Sequence, residues 1–303
     1  MSLQLGWHQP APGVHLRWAV QDPPGPPRGA LVLLQGRTEF IEKYSEVIER
    51  LAATGLQVWT FDLRGQGLST RPLANPHKGH VEGFDDYQRD LRSFLDEVVW
   101  GSPALAPGPR FLLAHSLGGL IALRYLLERP ADFDRAVLSA PMLGVPTPLP
   151  PWLTEQLAAL LIHLGLGEAY VARGDYGDRN RTFTDNPWTS DPARLAQTVA
   201  RVRADPRLAL GGITVRWLWA SLREMRALCA PGRLSRLQAP TLVVAAGEDR
   251  CVRTEDTLAA FAGVGAVELK RLDGAQHELM FEQDRHRDRF LALLEGFLFG
   301  EGA

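Results

Sequence analysis

The sequence predicts an α/β fold: a mostly parallel, doubly wound sheet with a helical segment inserted late in the chain. Three observations predict it. Short apolar runs alternate with stretches whose apolar residues fall at helical spacing, as in parallel strands covered on both faces. One run, Phe111 to Ala114, passes through His115-Ser116-Leu117-Gly118-Gly119 into a helix-compatible run, Leu120 to Leu127. The rhythm then breaks at Pro141. Pro141, Pro146, Pro148, Pro150 and Pro151 crowd together, and no convincing strand follows until Thr241.

Taken in order, Val14 to Val20 alternates like an edge strand, and a Pro/Gly turn from Asp22 to Gly29 follows. Ala30 to Leu34 reads as a buried strand. Ile41, Tyr44, Val47, Ile48 and Leu51 share one helix face, and Gly55 is its stop signal. Val58 to Phe61 is a further strand, and Phe84, Tyr87, Leu91, Phe94, Leu95 and Val98 line a second helix. After the serine unit, Ala136 to Ser139 returns to strand. The sheet rhythm resumes with Thr241 to Ala245 and Val267 to Leu272, and Phe290, Leu293, Leu294, Phe297 and Leu298 mark a last helix. This divides the chain into a core, residues 1–140 and 238–303, and a helical cap inserted at 141–237.

The strand–turn–helix unit has the form of a nucleophile elbow, whose sharp turn admits only small neighbours; Ala114 and Gly118 meet that demand. A serine hydroxyl needs a base, an acid to orient that base, and donors for the oxyanion. In enzymes built on this elbow the acid and then the histidine follow the serine, each after a late strand. Asp249 follows the run Thr241 to Ala245, and His277 follows Val267 to Leu272. Ser116, Asp249 and His277 are therefore the candidate catalytic residues, with Glu248 competing for the acid's place. His115 adjoins the serine but points to the opposite face of its strand, as a support residue. The oxyanion donors are expected to be the backbone N–H of Leu117, at a helix start, and that of Arg37, in Gln35-Gly36-Arg37-Thr38. The Arg37 side chain is either a phosphate attractor at the mouth or an ordinary solvated or salt-bridged cation.

Composition narrows the partners. At 303 residues with a net charge of −2, the chain carries no basic footprint for nucleic acid. Two cysteines, Cys229 and Cys251, form no disulfide framework and permit a reducing compartment. No signal pattern opens the chain, and no apolar run reaches the roughly 18–20 residues of a membrane span. A cytoplasmic protein is expected, with a peripheral contact to the inner face of the membrane. The sequence offers no Cys/His ligand cluster, and Gly65-Gln66-Gly67 lacks dinucleotide-binding spacing, so neither metal nor cofactor is expected.

Several of these stretches also carry a resemblance. Gln35-Gly36-Arg37, Phe61-Asp62-Leu63-Arg64-Gly65-Gln66-Gly67-Leu68-Ser69, Ala114 to Gly119 and Gly274-Ala275-Gln276-His277-Glu278 resemble the monoacylglycerol lipase and lysophospholipase branch of the α/β-hydrolases. Many members have His-Gly where this chain has Gln35-Gly36. Ala74 to Val81, running into Phe84-Asp85-Asp86-Tyr87, is similar to bacterial lysophospholipases. So are Ala140-Pro141-Met142, Asp205-Pro206-Arg207 and Gly211-Gly212. The resemblance implies hydrolysis of one ester bond in a single-chain lipid or small-molecule ester, without a cofactor. The apolar residues Trp152, Leu153, Leu157, Leu160, Leu161, Ile162, Leu164 and Leu166, with Trp217, Leu218, Trp219 and Leu222, either line an acyl tunnel or pack the cap onto the core. The alternatives are a peptidase or small-metabolite hydrolase like proline iminopeptidase, which would need an acidic pocket for an amine, and a catalytically silent binding protein. Haloalkane dehalogenases and epoxide hydrolases place aspartate at the position of Ser116.

Overall fold

A computed structural model describes residues 3–172, 174–177, 183–184 and 186–300. The insert's residues 173, 178–182 and 185 lie outside the described residues. Eight strands form one sheet: β1 (Gln4–Ala11), β2 (Val14–Gln21), β3 (Gly29–Leu34), β4 (Leu56–Phe61), β5 (Arg110–His115), β6 (Arg135–Ser139), β7 (Thr241–Ala246) and β8 (Val267–Leu272), in the spatial order β1-β2-β4-β3-β5-β6-β7-β8. β1 and β2 pair antiparallel, β2 joins β4 antiparallel, and every later pairing is parallel. Every residue of β3, β4 and β7 is buried, so both faces of the sheet are covered there.

The helices occupy the connections the apolar spacing predicts. α1 (Ser45–Ala53) follows a 3-10 turn at Ile41–Tyr44 and ends at Gly55, whose φ of 96° suits glycine. α2 (Phe84–Ser93) continues as a wider π-helical coil over Phe94–Val99. α3 (Leu117–Glu128) leaves the serine turn, and α8 (Asp284–Phe299) closes the chain against β6 and β7. Phe61 on β4 meets Phe94 with ring centroids 4.6 Å apart, tying α2's extension to the sheet.

Two elements differ from expectation. The edge is not Val14 to Val20 but β1, which pairs only with β2. Leu5 and Trp7 on β1 are largely exposed, so backbone pairing rather than buried apolar side chains holds the strand. A helix over the acid's flank, α7 (Thr254–Phe261), adds to the expected set.

Between β6 and β7 the described residues contribute no strand to the sheet. They form α4 (Pro151–His163), α5 (Pro192–Ala204) and α6 (Val215–Leu228). Asp191 caps α5 by accepting from the N–H groups of Ala193 and Arg194, and Thr214 caps α6 by accepting from Trp217. The insert is stitched to the loop after β4. Gly79 N–H donates to Gly212 O at 2.9 Å, and Thr214 N–H donates to Gly79 O at 3.0 Å. His80 Nδ1 lies 2.9 Å from Thr214 Oγ1. The motif stretches around Gly79 and Gly211-Gly212 are thus two sides of one seam.

α4 faces opposite to ordinary packing. Its buried residues are Glu155 and Ala158, and Glu155 is paired with Arg226 of α6 at 2.8 Å. Trp152 (64%), Leu160 (53%) and Leu164 (62%) are exposed. The expectation that these residues pack the insert onto the core fails for this helix. A helix apolar around most of its circumference cannot hide every face against one neighbour.

Candidate active site

The carboxyl ends of the parallel strands gather the predicted residues, where open α/β sheets bind ligands. Ser116 follows β5 and stands at φ 50°, a conformation few non-glycine residues adopt. The turn is held from both sides: Ser116 N–H donates to Ser139 O at 3.0 Å, and Ser116 O accepts from Met142 N–H at 3.0 Å. Gly118 lets α3 approach β3, because a Cβ there would lie 2.6 Å from the carbonyl oxygens of both Gln35 and Leu34.

Ser116, His277 and Asp249 form one hydrogen-bonded line. His277 Nε2 is 2.9 Å from Ser116 Oγ, and His277 Nδ1 is 2.7 Å from Asp249 Oδ2. The other oxygen of Asp249 accepts from the N–H groups of Cys251 at 2.8 Å and Val252 at 2.9 Å, so the carboxylate cannot swing. Glu248 is exposed, which leaves Asp249 as the carboxylate on the histidine. Burial works against charge on His277, but Asp249, together with Glu278 and Glu39, holds its pKa above the ordinary histidine value. His115 is buried with its ring centroid 4.8 Å from that of His277, and burial pushes it down to about 4. It is a neutral neighbour of the line, but it does not point to the opposite face as expected: it packs beside His277 and lines the same cavity as Ser116.

Leu117 opens α3, where helix-end N–H groups have no partner within the helix. Opposite it runs the loop Gly36-Arg37-Thr38, with Thr38 at φ 65°. The Arg37 side chain leans toward the insert. Its guanidinium donates to Gly211 O and lies 5.7 Å from the Trp217 ring. The Cys251 thiol also reaches the site: one ligand atom from each of Asp249, Cys251 and His277 falls within 4.8 Å of the others, a grouping sequence spacing did not reveal. The aspartate and histidine atoms of that trio are already committed to each other.

The line opens into a cavity of about 580 Å³, within the range of small-molecule sites. Core residues His115, Ser116 and His277 form its floor, and Met142, Val145, Pro146, Val171, Ile213, Trp217 and Leu218 of the insert form an apolar wall. Arg37 and Arg250 add two cations to that wall. Trp217 and Leu218, expected either to line a tunnel or to pack the segment onto the core, line the cavity with the serine.

The family model described as "Serine aminopeptidase, S33" matches residues 25–284. The chain belongs to this family of α/β-hydrolases. Within the family it falls in the lysophospholipase and monoacylglycerol lipase branch. Lysophospholipase L2 of Escherichia coli is 34% identical over 279 residues, covering 88% of this chain and 79% of that one. A monoacylglycerol lipase of Mycolicibacterium smegmatis is 27% identical over 275 residues, covering 90% and 89%. In fold, this α/β-hydrolase superposes on a soluble variant of monoglyceride lipase from Saccharomyces cerevisiae with a TM-score of 0.75, at 20% identity over 98% of this chain and 96% of that one. The protein is an ester-bond hydrolase.

Proposed function

We propose that this hydrolase cleaves the acyl ester of single-chain lipids, lysophospholipids first and monoacylglycerols second, through a Ser-His-Asp acyl-enzyme. The observation that carries the reading is the Ser116–His277–Asp249 line at the floor of an apolar-walled cavity. Ser116 Oγ attacks the ester carbonyl while His277 Nε2 takes its proton. Asp249 holds the imidazole with Nδ1 protonated and stabilises the cation that forms. The N–H groups of Leu117 and Arg37 receive the oxyanion. Collapse expels the alcohol, which takes the proton from His277. Water then attacks the acyl-enzyme with His277 as base, releasing a fatty acid and restoring Ser116.

Two cations on the wall, Arg37 and Arg250, favour an anionic headgroup over bare glycerol. A peptidase acting at a free amine would need an uncommitted carboxylate. The carboxylates on the wall, Glu39 and Glu278, are both paired with Lys43. We read the insert as a cap over the serine. The exposed apolar side of α4, with Trp152, Leu160 and Leu164, rests on a lipid surface in this reading. No helix of the described residues is long and apolar enough to cross a membrane, so the contact is peripheral.

The test is a panel of lysophospholipids, monoacylglycerols and short p-nitrophenyl esters run beside fluorophosphonate labelling of wild type and Ser116→Ala. Turnover of the single-chain lipids is expected, with higher kcat/KM for the phosphate-bearing ones and no labelling of the variant. Labelling that survives Ser116→Ala would place the nucleophile elsewhere, and a folded protein that turns over only short esters would refute the lipid substrate.

A further inference from the structure

One ammonium group lies between the two loops that flank the serine. Lys43 Nζ donates to Glu39 Oε1 at 2.7 Å and to Glu278 Oε1 at 2.6 Å. The three side chains are 5%, 2% and 11% exposed. Glu39 belongs to the loop after β3, which carries Arg37, and Glu278 is the residue after His277. No other described residue bridges these loops with both of its partners so deeply enclosed.

Each end of the bridge grips backbone that the chemistry uses. Glu39 Oε2 accepts the N–H of Gly36 and, at 2.6 Å, the hydroxyl of Tyr44. With Gly36 N–H pinned, the next N–H in the chain, that of Arg37, keeps its direction. Gln66 Nε2 holds the same loop by donating to Gly36 O at 2.7 Å and Glu39 O at 3.1 Å. A Cβ at Gly36 would lie 2.8 Å from Glu39 Oε2 and 2.8 Å from His115 Cδ2, so the loop, the carboxylate and the support histidine are in mutual contact. At the other end, Glu278 N–H donates to Trp188 O at 2.8 Å, and Lys43 Nζ sits 4.5 Å from the Phe281 ring centroid.

Three buried charges are costly to keep, on the order of several kcal/mol of desolvation per ion, and apolar residues of similar size often serve stability as well. Their arrangement here has a use at the reacting centre. With both carboxylates ionised, two acids and one ammonium leave one net negative charge behind the imidazole; burial and the neighbouring Glu39 hold Glu278 above the usual carboxylate range, so this charge is complete only above that raised midpoint. His277 becomes cationic when it takes the serine proton, and the fixed charge favours that state. The groups facing His277 from the elements around it are Asp249 of the loop after β7, Glu278 beside it, Glu39 of the loop after β3 and His115 of β5, with Lys43 behind the two glutamates. Burial would raise Glu39, but the Lys43 ammonium and the hydrogen bonds from Lys43 and Tyr44 bring it down to about 2, so this carboxylate stays ionised. Burial would lower Lys43, and Glu278 and Glu39 overcome it.

We propose that Lys43 is a positioning residue: by bridging Glu39 and Glu278 it locks the oxyanion loop and His277 into one geometry and presents a net negative charge to the imidazole. The inference rests on the triad reading above. It makes the Lys43 bridge part of the turnover step rather than a stability element alone.

The experiment compares Lys43→Met, Lys43→Arg and Glu278→Gln with wild type on one lysophospholipid, with folding checked by thermal melting. A displacement of about 1 Å at reacting atoms costs on the order of 10²-fold, so Lys43→Met should lose that much kcat. Its KM should stay within about twofold, because Lys43 itself does not line the cavity. Lys43→Arg should regain most of the loss. Glu278→Gln keeps the shape and an acceptor for Lys43 but removes a negative charge, so the acid limb of the kcat/KM profile should move to lower pH. Folded Lys43→Met with kcat within about twofold of wild type overturns the proposal. If Lys43→Met does not fold, Glu278→Gln decides, and an unmoved acid limb overturns it. Ser116→Ala separates the two readings: labelling that persists there refutes the triad, whereas a silent Ser116→Ala beside a fully active Lys43→Met refutes the bridge alone.

Discussion

Ser116, His277 and Asp249 were legible as three residues because their order along the chain follows the order of the late strands, and the hydrogen bonds of 2.9 and 2.7 Å now join them. Asp249→Asn should lower kcat by about 10⁴-fold, since the amide favours the wrong imidazole tautomer. Glu248→Gln, at an exposed side chain, should stay within about twofold on the same assay. The reverse order would reassign the acid. In the proposed mechanism His277 must be neutral to accept the serine proton. Its pKa is raised, so the acid limb of kcat/KM should lie above about 6.5, and activity should fall as pH drops through that higher midpoint. A pH–rate profile on a soluble ester measures it. The Glu39–Lys43–Glu278 bridge was not legible. Lys43 and Glu278 are separated by 235 positions, and each residue taken alone reads as an ordinary solvated charge.

At the scale of elements, periodicity recovered the strands that bury side chains and missed the one that does not. β1, with the sequence QLGWHQPA, offers little apolar burial and includes a glycine and a proline, so nothing in its pattern distinguishes it from a loop. α4 shows the complementary failure. Its composition marked an apolar helix but not a direction, because apolar residues surround it; the side that turns inward carries Glu155, paired with Arg226, and Ala158. The outward side gives a prediction. The double variant Trp152→Glu, Leu160→Glu should fold normally and keep its turnover of a short soluble ester. It should sediment less with anionic phospholipid vesicles than wild type. Each residue exchanges an exposed apolar side chain for a charge, which weakens insertion at the lipid interface. Unchanged co-sedimentation would remove α4 from the membrane contact.

Across the whole molecule, one buried ion pair ties the antiparallel edge to the parallel body. The Asp62 carboxylate accepts from Arg17 Nε at 2.9 Å, from Ile41 N–H at 2.9 Å and from Leu68 N–H at 2.8 Å, linking β2, the start of the first helical segment and the loop after β4. Asp62→Ala leaves Arg17 buried with half its partners, and should cost about 3–5 kcal/mol, read as a lower denaturant midpoint at constant slope. The α/β alternation and the break at Pro141 made the overall architecture readable early, since both are written in apolar spacing and proline density. The cavity was readable only as one of two alternatives for Trp217 and Leu218, because it arises where they and Ile213 meet residues from five separate strand ends. The insert departs from β6 and returns at β7, and those strands are immediate neighbours, with Ala136 beside Thr241. Its entrance and exit therefore stand side by side on the sheet. Segments of different length or shape could be spliced between them without moving a single ladder bond. If this segment is the cap proposed above, it is in this sense interchangeable, and a chimera carrying another member's segment should keep fluorophosphonate labelling at Ser116 while its ester preference follows the donor on the same substrate panel.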